Sequence, residues 1–159
     1  MTVSRAWHVA IGALVLDQFT KLLVLEIIDL PANGAVVVVP SFLKFVLVWN
    51  TGVNFGILAS DSMLLRWSLV VLALAVVLGL LWWVRRGAPK LTRLGAGLIA
   101  GGALGNAIDR IAHGAVVDFI NVSAPGIDNP FAFNVADVWI FVGAALIILS
   151  GSVGAEDAS

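Results

Sequence analysis

The 159-residue sequence contains no cysteine, and only 12% of its residues are charged. Without cysteine the chain can form no disulfide, thiol nucleophile, iron–sulfur centre or cysteine-ligated zinc site. The charged fraction is about half that of a typical soluble domain, and a net charge of −1 without a basic face excludes a nucleic-acid-binding protein. By contrast, 60% of the residues are apolar and the mean hydropathy is +1.04. This composition excludes a disordered chain and a single soluble domain, and it indicates a small membrane protein with several spans.

Four apolar stretches are long enough to cross a bilayer, whose core needs about 20 mainly apolar residues per helix. They lie at about residues 7–28, 63–84, 91–111 and 134–153. The sequence contains no internal repeat and no interdomain linker. Residues 1–159 are therefore expected to form a single membrane-embedded domain of mainly α class with four transmembrane helices.

Residues 35–59 are also apolar, but they do not have the pattern of a fifth membrane helix. The segment contains Pro40 and several asparagines and glycines, and it is rich in β-branched residues. The Asn33-Gly34 pair that precedes it is a turn signal. We therefore expect short strands at the membrane surface, in a β-rich segment at about residues 31–59.

Basic residues in the short loops predict the orientation of the helices. Arg85, Arg86, Lys90 and Arg93 lie between the second and third stretches, whereas residues 112–133 contain no lysine or arginine. The positive-inside rule places the basic connection in the cytoplasm. Both termini are then cytoplasmic, and the two longer loops, including the β-rich segment, are extracytoplasmic.

Polar residues inside the apolar stretches are the first candidates for function, because an unpaired charge within a bilayer is costly. Asp17 and Lys21 lie four residues apart, a spacing that favours an ion pair on one helix face. Asn106, Asp109 and Arg110 lie at i, i+3 and i+4 and project to one side of the third helix. Each group fits either a structural polar network between helices or the wall of a functional site.

The third stretch also has a repeated spacing of glycines, at Gly97, Gly101 and Gly105. Small residues four apart allow another helix backbone to come very near. The third helix is therefore predicted to pack closely against a neighbour.

Two further aspartates lie near the outward ends of the third and fourth stretches. Asp118 lies in the apolar run Val116-Val117-Asp118-Phe119-Ile120, in a loop without a nearby cation, which is typical of a carboxyl with a raised pKa. Asp137 would lie in the first turn of a helix that Asn134 caps, where the helix dipole stabilises negative charge. Taken singly, Asp118 fits an ordinary loop or strand-end carboxylate, and Asp137 fits a simple cap.

Two antiparallel helices joined by this loop could bring Asp118 and Asp137 together. Two carboxylates that share a site separate their pKa values, so that one stays protonated while the other is ionised. Such a pair can activate water and protonate a leaving amine. Other catalytic centres have little support, because the sequence contains only two histidines, no HExxH helix and no G-x-S-x-G motif.

The remaining polar cluster is the segment Asn50-Thr51-Gly52-Val53-Asn54-Phe55-Gly56. Its two glycines indicate a bent loop on the outward side of the membrane. By itself the segment fits a plain turn, and it also fits a loop whose asparagine and backbone groups grip an extended substrate.

Taken together, these motifs resemble those of the bacterial lipoprotein signal peptidases, also called signal peptidase II. The resemblance covers essentially the whole chain, including its length and its four apolar stretches. One motif would be weak support, but five in the same order are specific to the family. The motifs are Asp17-x-x-x-Lys21, Asn50-x-Gly52-x-x-Phe55-Gly56, Gly105-Asn106-x-x-Asp109-Arg110, Val116-Val117-Asp118-Phe119 and Phe133-Asn134-x-Ala136-Asp137.

This resemblance implies an intramembrane aspartic endopeptidase of the bacterial cytoplasmic (inner) membrane. Such enzymes remove the signal peptide from diacylglyceryl-modified prolipoproteins, cutting just before the lipidated cysteine. The family's catalytic aspartates correspond to Asp118 and Asp137. The resemblance further implies four transmembrane helices with a small extracytoplasmic β-cradle, an active site toward that face, inhibition by the cyclic peptide globomycin, no metal or cofactor, and a monomer.

The resemblance also assigns roles to the other polar residues. Residues that contact substrate or inhibitor in the family correspond to Asn50, with Gly52 in the same loop, and to Asn106, Arg110 and Asn134. Positions that support the family's site correspond to Asp17, Lys21 and Asp109. The sequence departs from the family at Val53 and Asn54, where members usually carry alanine, and this affects the fine contacts of the loop rather than the reaction.

Two other kinds of protein could use the same polar residues. Intramembrane acids mark proton paths in proton-coupled carriers, but here the acids cluster toward one face and the chain lacks inverted repeats. In a non-catalytic assembly factor the carboxylates would hold helices or partners together. A carrier would show transport in liposomes. In an assembly factor, Asp118→Asn would alter partner binding or stability and no turnover would be affected.

Overall fold

The computed structural model describes residues 3–52, 62–127 and 129–156. The chain forms five helices and three strands within these ranges. The helices are α1 (Val3–Leu22, extended by a π-helical turn, Leu23–Ile27), α2 (Leu30–Asn33), α3 (Met63–Val84), α4 (Lys90–His113) and α5 (Val135–Glu156). The strands are β1 (Ala35–Val39), β2 (Leu43–Asn50) and β3 (Val116–Val122).

Helix α4 lies at the centre of the bundle and packs against α1, α3 and α5. The glycines of α4 allow its neighbours to pack very closely. A Cβ atom on Gly101 would lie only 2.5 Å from the carbonyl oxygen of Ala10 in α1, so a larger residue would not fit there. On a different face of α4, a Cβ atom on Gly102 would lie 2.5 Å from the carbonyl oxygen of Ala136 in α5. The close helix approach predicted from the glycine spacing is therefore confirmed.

Helices lie at all four predicted span positions, but they differ in membrane character. By length and composition, the segments Arg5–Ile27 and Met63–Val84 could each cross a membrane, and Val135–Gly151 is an apolar helix of shorter length. Helix α4 is long enough, but several of its residues are glycine and its C-terminal part carries Asn106, Asp109 and Arg110. The glycines and the polar residues together make α4 less apolar than α3. The three polar residues belong to the site described below.

The three strands form one antiparallel sheet in the order β1-β2-β3. Strands β1 and β2 confirm that the apolar segment after Asn33 begins with strands instead of a fifth membrane helix. The expectation that Asp118 lies in a loop is wrong, because Asp118 lies in β3 and pairs with Val48 of β2. The pairing partner is distant in sequence, so the local pattern around Asp118 gave no indication of it.

Strand β3 places Asp118 between two residues of an apolar cluster. Val117 and Phe119 pack with Val24 and Leu30 under the sheet. Successive side chains of a strand point to opposite faces, so Asp118 points away from this cluster and toward α4 and α5. In the second half of β3, Phe133 forms backbone hydrogen bonds with Ile120, which brings the start of α5 alongside the strand.

Candidate active site

Asp118 is buried, with 1% of its surface exposed, and both of its carboxyl oxygens accept hydrogen bonds. Asn50 Nδ2 donates to Oδ2 at 2.9 Å, and Asn134 Nδ2 donates to Oδ1 at 2.6 Å. Burial raises the pKa of Asp118 to about 7, and the negative charge of Asp137 acts in the same direction. The two asparagine hydrogen bonds oppose this rise because they stabilise the ionised form. The raised pKa expected from the apolar surroundings of Asp118 is therefore confirmed.

Asp137 lies in the first turn of α5 and exchanges hydrogen bonds with the residue that caps this helix. Asn134 Oδ1 accepts from the backbone N–H of Asp137 at 3.1 Å, and Asp137 Oδ2 accepts from the backbone N–H of Asn134 at 3.2 Å. This reciprocal pattern is a capping box. The other oxygen, Oδ1, accepts from Asn106 Nδ2 at 3.1 Å. Asp137 is thus part of a cap, as its position predicted, and it also belongs to a wider polar network.

The two asparagines link the two aspartates. Asn134 Nδ2 donates to Asn106 Oδ1 at 3.2 Å as well as to Asp118. A continuous path of side-chain hydrogen bonds therefore runs from Asp118 through Asn134 and Asn106 to Asp137. The structure brings these two aspartates together at one end of the helices, on neighbouring elements β3 and α5.

A buried cation lies beside this path. Lys21 Nζ is 2.8 Å from Asp17 Oδ2, 2.7 Å from Asp109 Oδ2 and 3.1 Å from Asn106 Oδ1. The pair predicted from the spacing of Asp17 and Lys21 is confirmed, and Asp109 adds a second partner from α4. Each of these charges is buried, so the cluster compensates charges that would be costly in isolation.

The ion cluster also holds the backbone next to each aspartate of the site. Asp17 Oδ1 accepts from the backbone N–H of Ala136 at 2.9 Å, and Ala136 directly precedes Asp137. Asp109 Oδ2 accepts from the backbone N–H of Val117 at 3.2 Å, and Val117 directly precedes Asp118. The cluster therefore positions the backbone of α5 and of β3 relative to α1 and α4.

Arg110 points to a different part of the site from its neighbours on α4. Its Nη2 donates to the carbonyl oxygen of Gly52 at 2.6 Å, and its Nη1 donates to the carbonyl oxygen of Asn106 at 3.3 Å. Gly52 is held in turn by Asn50, whose Oδ1 accepts from the Gly52 backbone N–H at 3.1 Å. Arg110 Nε is buried and has no hydrogen-bond partner among the residues that the structure describes. Residues 53–61, including Val53 and Asn54, lie outside the described residues.

Gln18 is a member of the network that the sequence did not single out. Its Nε2 donates to Asp109 Oδ1 at 3.0 Å, and it also lies within 3.2 Å of Asp17 Oδ2 and 3.3 Å of the Gly105 carbonyl oxygen. The available signal was a polar amide within an apolar stretch, directly after Asp17. Within the described ranges, no group of three or more His, Cys, Asp or Glu side chains is arranged to hold a metal ion.

Comparison with known proteins identifies the family to which the chain belongs. Residues 9–153 match the family described as signal peptidase (SPase) II. Proteins named lipoprotein signal peptidase are similar over most of the chain. They include one from Methylobacterium sp. (strain 4-46), 45% identical over 88% of this chain and 84% of its own length, and one from Caulobacter vibrioides, 40% identical over 96% and 89%.

Solved structures support the same fold. A bacterial membrane enzyme structure determined in meso at 1.9 Å resolution superposes with a TM-score of 0.75, at 28% identity over 92% of both chains. A second, at 2.3 Å resolution, has a TM-score of 0.81 at 24% identity, over 98% of this chain and 92% of the other. The family match and the relatives extend over nearly the whole chain, so the chain belongs to the signal peptidase II family of membrane peptidases.

Proposed function

We propose that this protein is an aspartic endopeptidase that removes the signal peptide from diacylglyceryl-modified prolipoproteins. Cleavage takes place just before the lipidated cysteine, by a water molecule activated between Asp118 and Asp137. The observation that carries the proposal is the pairing of two carboxylates in unequal surroundings, linked by Asn106 and Asn134. Unequal surroundings are what allow one member of a carboxylate pair to act as acid and the other as base.

The surroundings favour Asp118 as the protonated member. Burial raises the pKa of Asp118 to about 7. Asp137 lies at the N-terminal end of α5, where the helix dipole stabilises negative charge. It also accepts hydrogen bonds on both oxygens, from Asn106 and from the Asn134 backbone. In this proposal Asp137 is the base and Asp118 the acid in the first step.

The reaction then proceeds in two balanced steps. Asp137 takes a proton from the water as the water oxygen attacks the scissile carbonyl carbon. In the same step Asp118 gives its proton to the carbonyl oxygen. The tetrahedral intermediate collapses when Asp137 passes its proton to the leaving nitrogen, the carbon–nitrogen bond breaks, and Asp118 recovers a proton from the hydroxyl group. Both aspartates return to their starting states without a metal or cofactor.

Arg110 and the segment at Asn50 are proposed to hold the substrate backbone. The buried Nε of Arg110 is a donor without a partner among the described residues, so it is suited to a substrate carbonyl. Asn50 and Gly52 form the adjoining wall, because Asn50 binds Asp118 and Gly52 binds Arg110. A globomycin-type cyclic peptide would occupy the same groups as an inhibitor.

The lipid part of the substrate requires a site at the membrane surface. We propose four spans in the bacterial cytoplasmic membrane, with both termini in the cytoplasm and the site at the extracytoplasmic face, in a monomeric enzyme. The support is that the basic connection after α3 lies at the opposite end of α4 from Asp109 and Arg110. The anchored diacylglycerol would then hold the cleavage site at a fixed depth, so that binding energy positions the scissile bond.

The test is cleavage by purified protein in detergent. The substrate is a prolipoprotein whose cysteine carries diacylglycerol, with the unlipidated form beside it. We expect cleavage before the lipidated cysteine alone, and loss of at least about a thousandfold in Asp118→Asn and Asp137→Asn, in the range seen for essential catalytic groups. Asp29→Asn is the matched control, because Asp29 caps the short helix α2 and should tolerate the change. Substantial turnover by either site variant would refute the dyad.

A further inference from the structure

A cavity of about 370 Å³ lies beside the proposed active site. It is lined by Trp49 and Thr51 from the end of β2, by Met63 and Arg66 from the start of α3, and by His113 and Gly114 from the end of α4. Thr51 lies between Asn50, which binds Asp118, and Gly52, which binds Arg110. The cavity is therefore separated from the active site by one short segment of chain.

Arg66 gives the cavity a positive charge. Its Nη2 donates to the carbonyl oxygen of Ile111 at 2.8 Å, which fixes the guanidinium against the end of α4. Its Nε is buried without a hydrogen-bond partner in the described part of the chain. Gly114 contributes space, because a Cβ atom there would lie 3.4 Å from Arg66 Nη1. The guanidinium thus has donor capacity that the described residues do not use.

The other described lining residues suit an anion. The His113 ring lies 5.5 Å from the Trp49 ring, centroid to centroid, so the imidazole is held at the wall with a nitrogen available to donate. None of the described lining residues is an aspartate or glutamate. Arginine and histidine, with no acidic residue among the described residues of the lining, favour a ligand with phosphate-like oxygens.

Apolar surface next to the cavity favours a lipid as the source of that phosphate. Met63 is 70% exposed and Leu64 is 79% exposed in the first turn of α3. Trp49 and Trp67 are also partly exposed at this level, and tryptophan is enriched where membranes meet water. A ligand with a phosphate and adjacent acyl chains would satisfy both the cation and the exposed apolar residues.

We infer that this cavity binds the headgroup phosphate of a membrane phospholipid, with Arg66 as its main contact and His113 as a second donor. The acyl chains would lie along the exposed start of α3. A diacylglyceryl-modified cysteine carries no phosphate, so the site is distinct from the one proposed for the substrate. The cavity and its charge support this site independently of the proposed peptidase activity. The test therefore measures lipid binding and does not depend on cleavage.

The test is a titration of the full chain in detergent with dihexanoyl phosphatidylglycerol, followed by the imidazole resonances in NMR spectra. The chain has two histidines, and His8 in α1 serves as an internal reference for general effects of the lipid. We expect a saturable change at His113 and no matching change at His8. In Arg66→Gln the dissociation constant should increase about tenfold or more, the effect of losing one charge-assisted hydrogen bond.

Matched variants and ligands make the result specific. Arg66 lies over the ring of Trp67, 5.5 Å from its centroid. Arg86→Gln is the control variant, because Arg86 likewise lies over the Trp82 ring, at 3.7 Å, but at the opposite end of this helix. Its affinity should equal that of the unmodified chain. Arg66→Lys should bind with intermediate affinity, and it replaces Arg66→Gln if that variant does not fold.

Three results would overturn the inference. The first is an unchanged dissociation constant in folded Arg66→Gln and Arg66→Lys. The second is an equal response of His113 to dihexanoylglycerol, which lacks phosphate. The third is saturation by inorganic phosphate at the same concentration as the lipid, which would identify a site for free anions.

Discussion

Asn134 donates a hydrogen bond from its side-chain amide to Asp118 Oδ1 at 2.6 Å, and this contact joins the cap of α5 to strand β3. The backbone N–H of the same residue donates to Asp137 at 3.2 Å. One residue thus fixes an oxygen of each aspartate. The remaining partners differ, because Asp118 also accepts from Asn50 and Asp137 from Asn106. The pair is therefore asymmetric in its contacts as well as in its burial.

The first prediction concerns the pH dependence of cleavage. The proposed acid, Asp118, has its pKa raised to about 7 by burial and by the charge of Asp137. The protonated form is populated below this pH and is lost above it. We therefore expect kcat/KM to decrease about tenfold per pH unit above about pH 7. A pH–rate profile measured with the diacylglyceryl prolipoprotein checks this.

Replacing Asn50 tests whether the alkaline limb belongs to Asp118. The Asn50 hydrogen bond lowers the pKa of Asp118 because it stabilises the ionised form. In Asn50→Ala the pKa should rise further, and the alkaline limb should move to higher pH while overall activity falls. Asn33→Ala, an exposed position on α2, should leave the limb in place. An unchanged limb in Asn50→Ala would assign it to another group.

The second prediction concerns the buried cation. Lys21→Met removes the partner of both Asp17 and Asp109 and leaves two buried negative charges without compensation. Breaking a buried ion pair from one side costs about 3–5 kcal/mol, so we expect a large decrease in the free energy of unfolding. Denaturant unfolding in detergent micelles measures it. Lys90→Met, at the exposed start of α4, should be nearly neutral, and equal stabilities of the two variants would contradict the role of Lys21.

The local spacing of the sequence predicted the parts of this cluster that lie on one helix. Asp17 and Lys21 are one turn apart on α1, and Asn106 and Asp109 lie on the same side of α4. The helical period is therefore sufficient to predict that each pair lies together. The contact between Lys21 and Asp109 depends on how α1 and α4 pack, and no local pattern contains that information. The same reason explains why Gln18 was missed, since its partner Asp109 lies 91 residues away.

Strand β3 shows a second limit of local reasoning. Val116, Val117, Phe119 and Asp118 do not alternate between apolar and polar, so the period of two that identifies a half-buried strand is absent. The strand forms because β2 offers hydrogen-bond partners from more than sixty residues earlier. The apolar cluster beneath the sheet buries one side of it. The carboxylate of Asp118 is tolerated on the other side because Asn50 and Asn134 satisfy both oxygens.

The third prediction concerns helix packing. In Gly101→Ala the new methyl group would lie 2.5 Å from the Ala10 carbonyl oxygen and 2.7 Å from the Ala13 side chain, so α1 must shift away from α4. Overpacking of this kind costs about 1–3 kcal/mol. Gly79→Ala in α3 is the matched control, because nothing lies within 4 Å of its new methyl group. There the higher helix propensity of alanine should leave stability equal or raise it by up to about 1 kcal/mol.

Thermal unfolding of the two glycine variants in the same detergent separates the packing effect from a general effect of alanine. A decrease limited to Gly101→Ala supports close packing between α1 and α4. Because Asp17 and Lys21 lie further along α1, the shift should also lower cleavage activity. Equal unfolding midpoints for both variants would contradict the close approach.

The fourth prediction concerns Arg110, whose planar group serves several contacts at once. Its two terminal nitrogens bind the carbonyl oxygens of Gly52 and Asn106, and Nε is left for the proposed substrate. Lysine keeps the charge but carries its N–H donors on one nitrogen, so Arg110→Lys cannot reach all three positions that the planar guanidinium spans. We expect kcat/KM to fall about 10–100-fold, the equivalent of one charge-assisted hydrogen bond. Steady-state cleavage kinetics measure this.

Arg93→Lys is the matched control, because Arg93 also donates to a backbone carbonyl, that of Ala88, but at the other end of α4. Its kinetics should equal those of the unmodified enzyme. An increase in KM with constant kcat would limit Arg110 to holding the substrate, whereas a decrease in kcat would mean that it also positions the scissile bond. If Arg110→Lys had the full kcat/KM, the Nε that has no partner among the described residues would have no part in substrate binding, and the proposed peptide-binding wall would have to be sought elsewhere around Asp118 and Asp137.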